Sequence, residues 1–256
     1  MNNSPLVFHD DWQHLSAFTP ARIALGRAGM SLPTHASLAF SLAHAMARDA
    51  LATPIDFTPI AKSLATFNEK TMRLNTQASN SHDYLQRPDL GRLLAQASSL
   101  TLQAHPLSPA DIVIIVADGL SSQAIENHAV PFLHLLLPYI REQRYLMPPI
   151  SLINHGRVAI GDSVAQWYQA RFCVVLIGER PGLSSPDSMG IYFTYQAKQG
   201  TTDAERNCIS NIHQHGLSYA EALVKLVYLI ETSAKLQFSG VNLKDETANA
   251  GLNYGF

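Results

Sequence analysis

The sequence predicts an α/β protein in which a parallel sheet is preceded by a helical N-terminal region. Two apolar runs, residues 111–117 and 172–177, are rich in β-branched residues and typical of strands buried on both faces. Segments with helical spacing alternate with these runs, and that order favours a parallel sheet. The composition changes near His105, so we divide the chain into a helical region at residues 1–105 and a sheet domain at residues 106–256.

The N-terminal region is predicted to contain three helices. The first opens at Pro33, with Thr34 as its N-cap, and stops at Pro54. Its expected core face consists of Leu38, Leu42, Ala45, Met46 and Ala50. The other two helices are expected from Pro59 to about Lys70 and from Pro88 onwards, the latter with Leu90, Leu93, Leu94 and Ala97 on its core face.

The sheet domain begins with the apolar run that ends at Ala117. Asp118 and Gly119 turn the chain, and Ser121 caps a long helix that Pro131 and Pro138 are expected to break. The remaining predicted elements are strands at residues 150–154 and 191–195 and helices at residues 162–171 and 217–235, the last of them opened by a capping box of Ser218 and Glu221.

The carboxyl ends of the strands form the expected binding edge, because ligands of open parallel sheets bind there. The loops after Ala117, Ile177 and Tyr195 are therefore predicted to meet a ligand. The loop after Ile177 begins abruptly with Gly-Glu-Arg-Pro-Gly at residues 178–182, and a polar segment further on carries Cys208.

Composition excludes several classes of protein. A hydrophobic content of 46% with only 15% charged residues favours a well-buried globular protein and leaves room for an extensive interface. The formal net charge of -2 provides no basic footprint for nucleic acid. The N-terminal residues lack the features of a secretory signal, and no apolar run approaches the ~20 residues of a membrane span. Two cysteines, Cys173 and Cys208, indicate a reducing compartment, with Cys173 buried in a strand.

The common catalytic and nucleotide-binding motifs are missing from the sequence: it has no G-x-G-x-x-G, no P-loop, no G-x-S-x-G and no C-x-x-C. Cys208 and His213 could act as nucleophile and base, but no oxyanion hole or third orienting group is evident. His213 and His215 could bind a metal, but no cluster of carboxylates or thiolates accompanies them. Glu179 lies where a ligand would be met, or else forms a surface pair or loop anchor. Val158 by itself indicates only a core position.

Six segments, in order along the chain, carry a resemblance to a known family. They are FTPARIALGRAG at 18–29 with SLPT at 31–34, YLQRPDLGR at 84–92, VADGLS at 116–121, GRVAIGD at 156–162, IGERPGL at 177–183 and CISNIH at 208–213. In these segments the chain resembles the small (light) subunit of ethanolamine ammonia-lyase. Six matches in register over most of the chain make this resemblance specific.

The resemblance implies a Rossmann-like sheet domain behind a helical region, and a large barrel subunit as partner. Adenosylcobalamin would lie between the two subunits, while ethanolamine and the catalytic groups would be held by the large subunit. By motif, the cobalamin contacts of this chain are Val158, Glu179 and Cys208, with no catalytic residue and no metal ligand. The motif D-x-H-x-x-G, whose histidine binds cobalt in many cobalamin domains, is missing from the sequence.

The implied reaction is a radical conversion of ethanolamine to acetaldehyde and ammonia. The implied location is the cytoplasm, where some family members enter a protein-shelled microcompartment. One alternative stays open: a cobalamin-binding or regulatory module without a catalytic partner.

Overall fold

A computed structural model describes residues 6–106 and 108–247 and contains one mixed sheet. Its strands are β1 (Thr71–Asn75), β2 (Ile112–Ala117), β3 (Ile150–Asn154), β4 (Phe172–Gly178), β5 (Met189–Tyr195) and β6 (Arg206–Ile212). The α-helices are α1 (Thr34–Ala52), α2 (Phe57–Thr66), α3 (Ser81–Gln86), α4 (Gln96–Ala104), α5 (Ser122–Glu142), α6 (Ile160–Trp167) and α7 (Tyr219–Leu236). The strand order is β1-β3-β2-β4-β5-β6, which confirms the α/β class.

The sheet is parallel only in part. Strands β1, β3, β2 and β4 run parallel, whereas β5 is antiparallel to β4 and β6 is antiparallel to β5. Only residues 179–188 join β4 to β5, and a parallel crossover needs about a dozen residues or more. The predicted parallel sheet is therefore confirmed for β1 to β4 and wrong for β5 and β6. The prediction that the loop after Tyr195 lies at the binding edge is wrong too. Tyr195 pairs with Phe172, the first residue of β4, so that loop lies at the amino ends of the parallel strands.

Two strands escape the sequence-based prediction. Strand β1 lies in the region that was expected to be helical and adds an edge strand to the sheet by pairing with β3. Its five residues alternate between buried and exposed positions, as in a half-buried strand. Strand β6 arises from the polar segment around Cys208 and forms the other edge. The division of the chain at residues 105 and 106 stays a proposal, with β1 as a contribution of the N-terminal region to the sheet.

The helices of the N-terminal region differ from the prediction in detail. Helix α1 has the expected extent, but Thr34 is its first residue and provides no side-chain cap. Most of its expected core face is exposed, since only Ala50 is fully buried. The predicted third helix at Pro88 is a short 3₁₀ turn, and α4 begins only at Gln96.

Helix α5 runs unbroken through Pro131 and Pro138, contrary to the prediction. Its buried face packs on β4, β5 and β2. The stabilisation from packing that face exceeds the stability lost with the backbone hydrogen bonds that the two prolines remove. The predicted caps are confirmed, because Ser121 accepts from the N–H of Ala124 and Ser218 forms the capping box with Glu221.

A core cluster covers each face of the sheet. Helices α2, α5 and α7 bury one face, while α4 and α6 pack against the other. On the second face α6 lies against β2 and β4, and its close approach requires Gly161, where a Cβ would meet the Sγ of Cys173 at 2.9 Å. Within residues 6–106 and 108–247, no helix has the length and apolar character needed to cross a membrane.

Candidate functional site

Glu179 is the first residue after β4 and lies at the carboxyl edge of the sheet. Its carboxylate folds back over β5, where Oε2 accepts from the Ser188 hydroxyl at 2.5 Å and from the Asn211 N–H at 3.1 Å. Among the described residues, both hydrogen bonds of this carboxylate go to Oε2. Oε1 lies 2.9 Å from the point where a Cβ of Gly190 would stand. Within the described residues Oε1 therefore has no donor and keeps its capacity to accept a hydrogen bond.

A β-bulge in β6 provides one of these donors. Opposite the single residue Gly190 of β5, strand β6 carries both Ser210 and Asn211, so the ladder shifts its register. Asn211 has a φ of 66°, a left-handed conformation in which asparagine is enriched. Bulges of this kind redirect groups next to functional sites. Here the N–H of Asn211 is directed to Glu179.

Tyr192 and Cys208 lie side by side on the same face of the sheet as α6. They are direct cross-strand partners, so their side chains emerge on the same face. Tyr192 is half-buried against the core cluster on the α6 side, and Cys208 is exposed. Gly190 precedes Tyr192 by two residues and therefore shares this face. We call these four residues, Glu179, Gly190, Tyr192 and Cys208, the β5–β6 platform.

Cys208 is exposed as a residue, but neighbouring groups partly cover its sulfur. Burial of the sulfur by its neighbours raises the pKa of Cys208, the Tyr192 hydroxyl lowers it, and the Glu179 carboxylate raises it further. Burial also raises the pKa of Tyr192, and the neighbouring thiol and carboxylate add to that rise. A nucleophilic cysteine needs a lowered pKa. The platform therefore offers a neutral contact surface bordered by one carboxylate.

His213 is engaged with residues other than Cys208. Its Nε2 lies 2.9 Å from the Asn211 Oδ1 and 3.3 Å from the Ser185 Oγ, and burial lowers its pKa. The N–H of His215 donates to His213 Nδ1 at 3.3 Å. Across the part of the chain that the structure describes, no group of three or more His, Cys, Asp or Glu residues is placed to hold a metal ion.

Val158 lies in the turn between β3 and α6. It is half-buried and packs against the same core cluster as Tyr192, on the α6 side of the sheet. Asp118, directly after β2, fixes this turn because its carboxylate accepts from the N–H groups of His155 at 2.9 Å and Gly156 at 3.1 Å. The ends of β2 and β3 are thereby joined at the carboxyl edge of the sheet.

A buried ion pair connects α6 to the edge strand. The Arg206 guanidinium donates to both carboxylate oxygens of Asp162 at 2.7 Å, and to the Thr201 carbonyl at 2.8 Å. The two charged side chains are 2% and 5% exposed. Arg206 is the cross-strand partner of Thr194, two residues along from the Tyr192–Cys208 pair. The ion pair therefore fixes the first turns of α6 relative to strands β5 and β6.

Of the three predicted contacts, Glu179 and Cys208 share the platform, and Val158 stands on the turn between β3 and α6, on the same side of the sheet. Sequence-based reasoning missed Gly190 and Tyr192. Alternation within residues 191–195 could have placed Tyr192 on the less buried face. The hydrogen bond from Ser188 and the bulge of β6 leave no signal in the sequence.

This fold and site define an α/β protein with a mixed sheet and a candidate binding site on its last two strands, β5 and β6. A family model of the ethanolamine ammonia-lyase light chain matches residues 9–244. A protein of Pseudomonas fluorescens (strain Pf0-1), named ethanolamine ammonia-lyase small subunit, is 49% identical over 96% of this chain and 91% of its own length. A protein of the same name from Pseudomonas putida (strain GB-1) is 50% identical over 92% of this chain and 88% of its own length. The chain belongs to the ethanolamine ammonia-lyase light-chain family.

Proposed function

We propose that this chain is the small subunit of an adenosylcobalamin-dependent ethanolamine ammonia-lyase and that its platform forms one wall of the cobalamin site. One observation carries the proposal: the fixed carboxylate of Glu179, with Oε1 left to accept, stands beside the small and neutral side chain of Cys208. The family membership of the chain makes cobalamin the ligand to test.

The residues of the platform fit the rim of a corrin, which carries carboxamide groups. Glu179 Oε1 would accept from a carboxamide N–H, and its charge strengthens that bond. Cys208 and Val158 would provide small apolar contacts that let the ring approach the sheet closely. Tyr192 would extend this surface with its ring. The cofactor, when bound, supplies the radical chemistry that converts ethanolamine to acetaldehyde and ammonia, while the protein binds, orients and excludes water.

A large subunit would complete the site and hold ethanolamine. Support comes from α1, where Leu38 is 65%, Leu42 is 62% and Met46 is 48% exposed. These residues are spaced four apart and therefore form one stripe along the helix. An exposed apolar stripe of this kind marks an interaction surface. The C-terminal end of α1 at Ala50 lines a cavity of about 190 Å³ together with Asp118, so this helix ends near the carboxyl edge of the sheet.

The cofactor site is tested by reconstitution with the large subunit, followed by cobalamin titration of the wild type and Glu179→Gln. Glutamine keeps a carbonyl acceptor but removes the charge. A hydrogen bond to a charged group contributes about 1.5–3 kcal/mol and a neutral one about 0.5–1.5 kcal/mol, so loss of the charge alone should lower the affinity roughly 5- to 13-fold. Glu142→Gln, at the far end of α5, is the matched control and should bind like the wild type. Equal affinity of Glu179→Gln and the wild type would remove Glu179 from the cofactor site.

The stripe on α1 distinguishes a subunit from a cobalamin carrier that has no catalytic partner. Leu42→Glu should weaken association with the large subunit by at least about tenfold, because burial of a leucine contributes ~1.5–3 kcal/mol. Ser37→Glu, on another side of the same helix, is the control. The chain alone should show no lyase activity and should gain it in the complex. Full turnover by the isolated chain would contradict the proposal.

We further propose that the complex acts in the cytoplasm, free or enclosed in a protein-shelled microcompartment. Support comes only from the resemblance to the family. Cell fractionation with an antibody to this chain would test the location, and recovery outside the cytoplasm would contradict it.

A further inference from the structure

We propose that Gly190 is a positioning residue whose missing side chain lets the carboxylate of Glu179 lie flat on β5 beside Tyr192 and Cys208. This inference concerns the platform itself, and it extends to the cofactor only through the function proposed above. Four observations carry it.

The first observation is steric. A Cβ at position 190 would stand 2.9 Å from Oε1, 3.3 Å from Cγ and 3.4 Å from Cδ of Glu179. Its three nearest neighbours all belong to that one side chain. A methyl group here would therefore displace Glu179 without meeting backbone.

The second observation is conformational. The φ angle of Gly190 lies outside the left-handed region, so the backbone does not require glycine at this position. A glycine inside a strand weakens it and often marks a site where another group approaches closely. Space for the Glu179 carboxylate accounts for this glycine.

The third observation is the set of contacts that hold the carboxylate against position 190. Ser188 donates to Oε2 from the end of the loop, and Asn211 donates to the same oxygen from the bulge opposite Gly190. Three separate features, a hydroxyl, a freed N–H and a missing side chain, thus converge on one carboxylate. This convergence fixes Oε1 over the strand.

The fourth observation is electrostatic. The charge of Glu179 acts on both Tyr192 and Cys208, raising the pKa of each in addition to the larger effect of burial. The carboxylate therefore lies close enough to both groups for its displacement to be felt. The Cys208 thiol thus serves as a built-in reporter of where the carboxylate stands.

The experiment compares Gly190→Ala, Glu179→Gln and the double variant in the full chain without cofactor. The readout is the rate of alkylation at Cys208 near neutral pH, followed by mass spectrometry, since only the thiolate reacts. Cys173 is buried and does not compete. Displacing or neutralising the carboxylate should raise the rate roughly twofold or more in each single variant, and the double variant should add nothing to Glu179→Gln.

Gly182→Ala, in the loop between β4 and β5, is the matched control. A Cβ there would meet its nearest neighbour, the Ser185 carbonyl oxygen, at an ordinary 3.6 Å. This variant should react like the wild type. Circular dichroism melts of every variant will check that it is folded.

The outcomes separate this inference from the proposed function. An unchanged alkylation rate in Gly190→Ala, with a raised rate in Glu179→Gln, would overturn the positioning role. Full additivity in the double variant would overturn it as well. A raised, non-additive rate supports the positioning role even where cobalamin affinity of the reconstituted complex stays unchanged in both single variants. Unchanged cobalamin affinity would count only against the proposed contact between Glu179 and the cofactor.

Discussion

Replacing Asp162 with Asn would leave the Arg206 guanidinium charged and buried, with only the exposed Asp203 carboxylate, 3.6 Å from its Nε, as a counter-ion. The wild-type pair is bidentate, with both N–O distances at 2.7 Å, and the side chains are 2% and 5% exposed. Asparagine is nearly isosteric, so the change removes charge and one acceptor without opening a cavity. Breaking a buried ion pair from one side costs about 3–5 kcal/mol.

Urea unfolding followed by circular dichroism measures this loss. With an m-value of about 3 kcal/mol/M, the upper end of the range for small proteins, the midpoint should fall by roughly 1–2 M. Asp89→Asn is the control, because Arg87 and Asp89 also form a bidentate pair, through Nε at 3.0 Å and Nη2 at 2.7 Å, but with side chains 62% and 56% exposed. An exposed pair of this kind contributes little to stability, because water and salt screen its charges. Equal midpoint shifts for the two variants would refute the argument that burial makes the Asp162 pair important.

Further predictions concern the site and the helix ends. The pH profile of Cys208 alkylation should have its midpoint above that of an unperturbed cysteine peptide, because burial raises the thiol pKa; a midpoint below that value would indicate an activated thiol. Cys208→Ala should weaken cobalamin binding only modestly in the reconstituted complex and leave turnover within about tenfold; a loss of several powers of ten would instead support a nucleophilic cysteine. Ser218→Ala should lower the free energy of unfolding by about 1 kcal/mol, because it removes the N-cap of α7, and thermal melts would detect the change.

The central strands could be predicted almost to the residue. Residues 112–117 and 172–178 are buried throughout, and a continuous apolar run of this length is typical of a strand buried on both faces. The caps at Ser121 and Ser218 were equally legible, because a capping side chain acts on backbone within three residues of itself. Motif resemblance, rather than spacing, selected Glu179, Cys208 and Val158.

The edge strands could not be predicted with the same ease. Strand β1 has five residues, and β6 is largely polar, so neither carries the apolar run that marks a buried strand. The direction of β5 depends on how the loop at residues 179–188 closes. Helix α5 continues through two prolines because its buried face packs on the sheet. The helix propensities of its residues do not include this tertiary packing and therefore could not predict the continuation.

The sequence by itself therefore determined the α/β class, the central strands, the main caps and the family to which the chain belongs. These features depend on local periodicity, on contacts between near neighbours, or on motifs in a fixed order. Only the tertiary structure decided that β5 reverses and that β6 bulges opposite Gly190. It also decided that Glu179 lies over that glycine beside Tyr192 and Cys208. Contacts of this kind join residues far apart in the chain, and a single sequence carries no local signal for them.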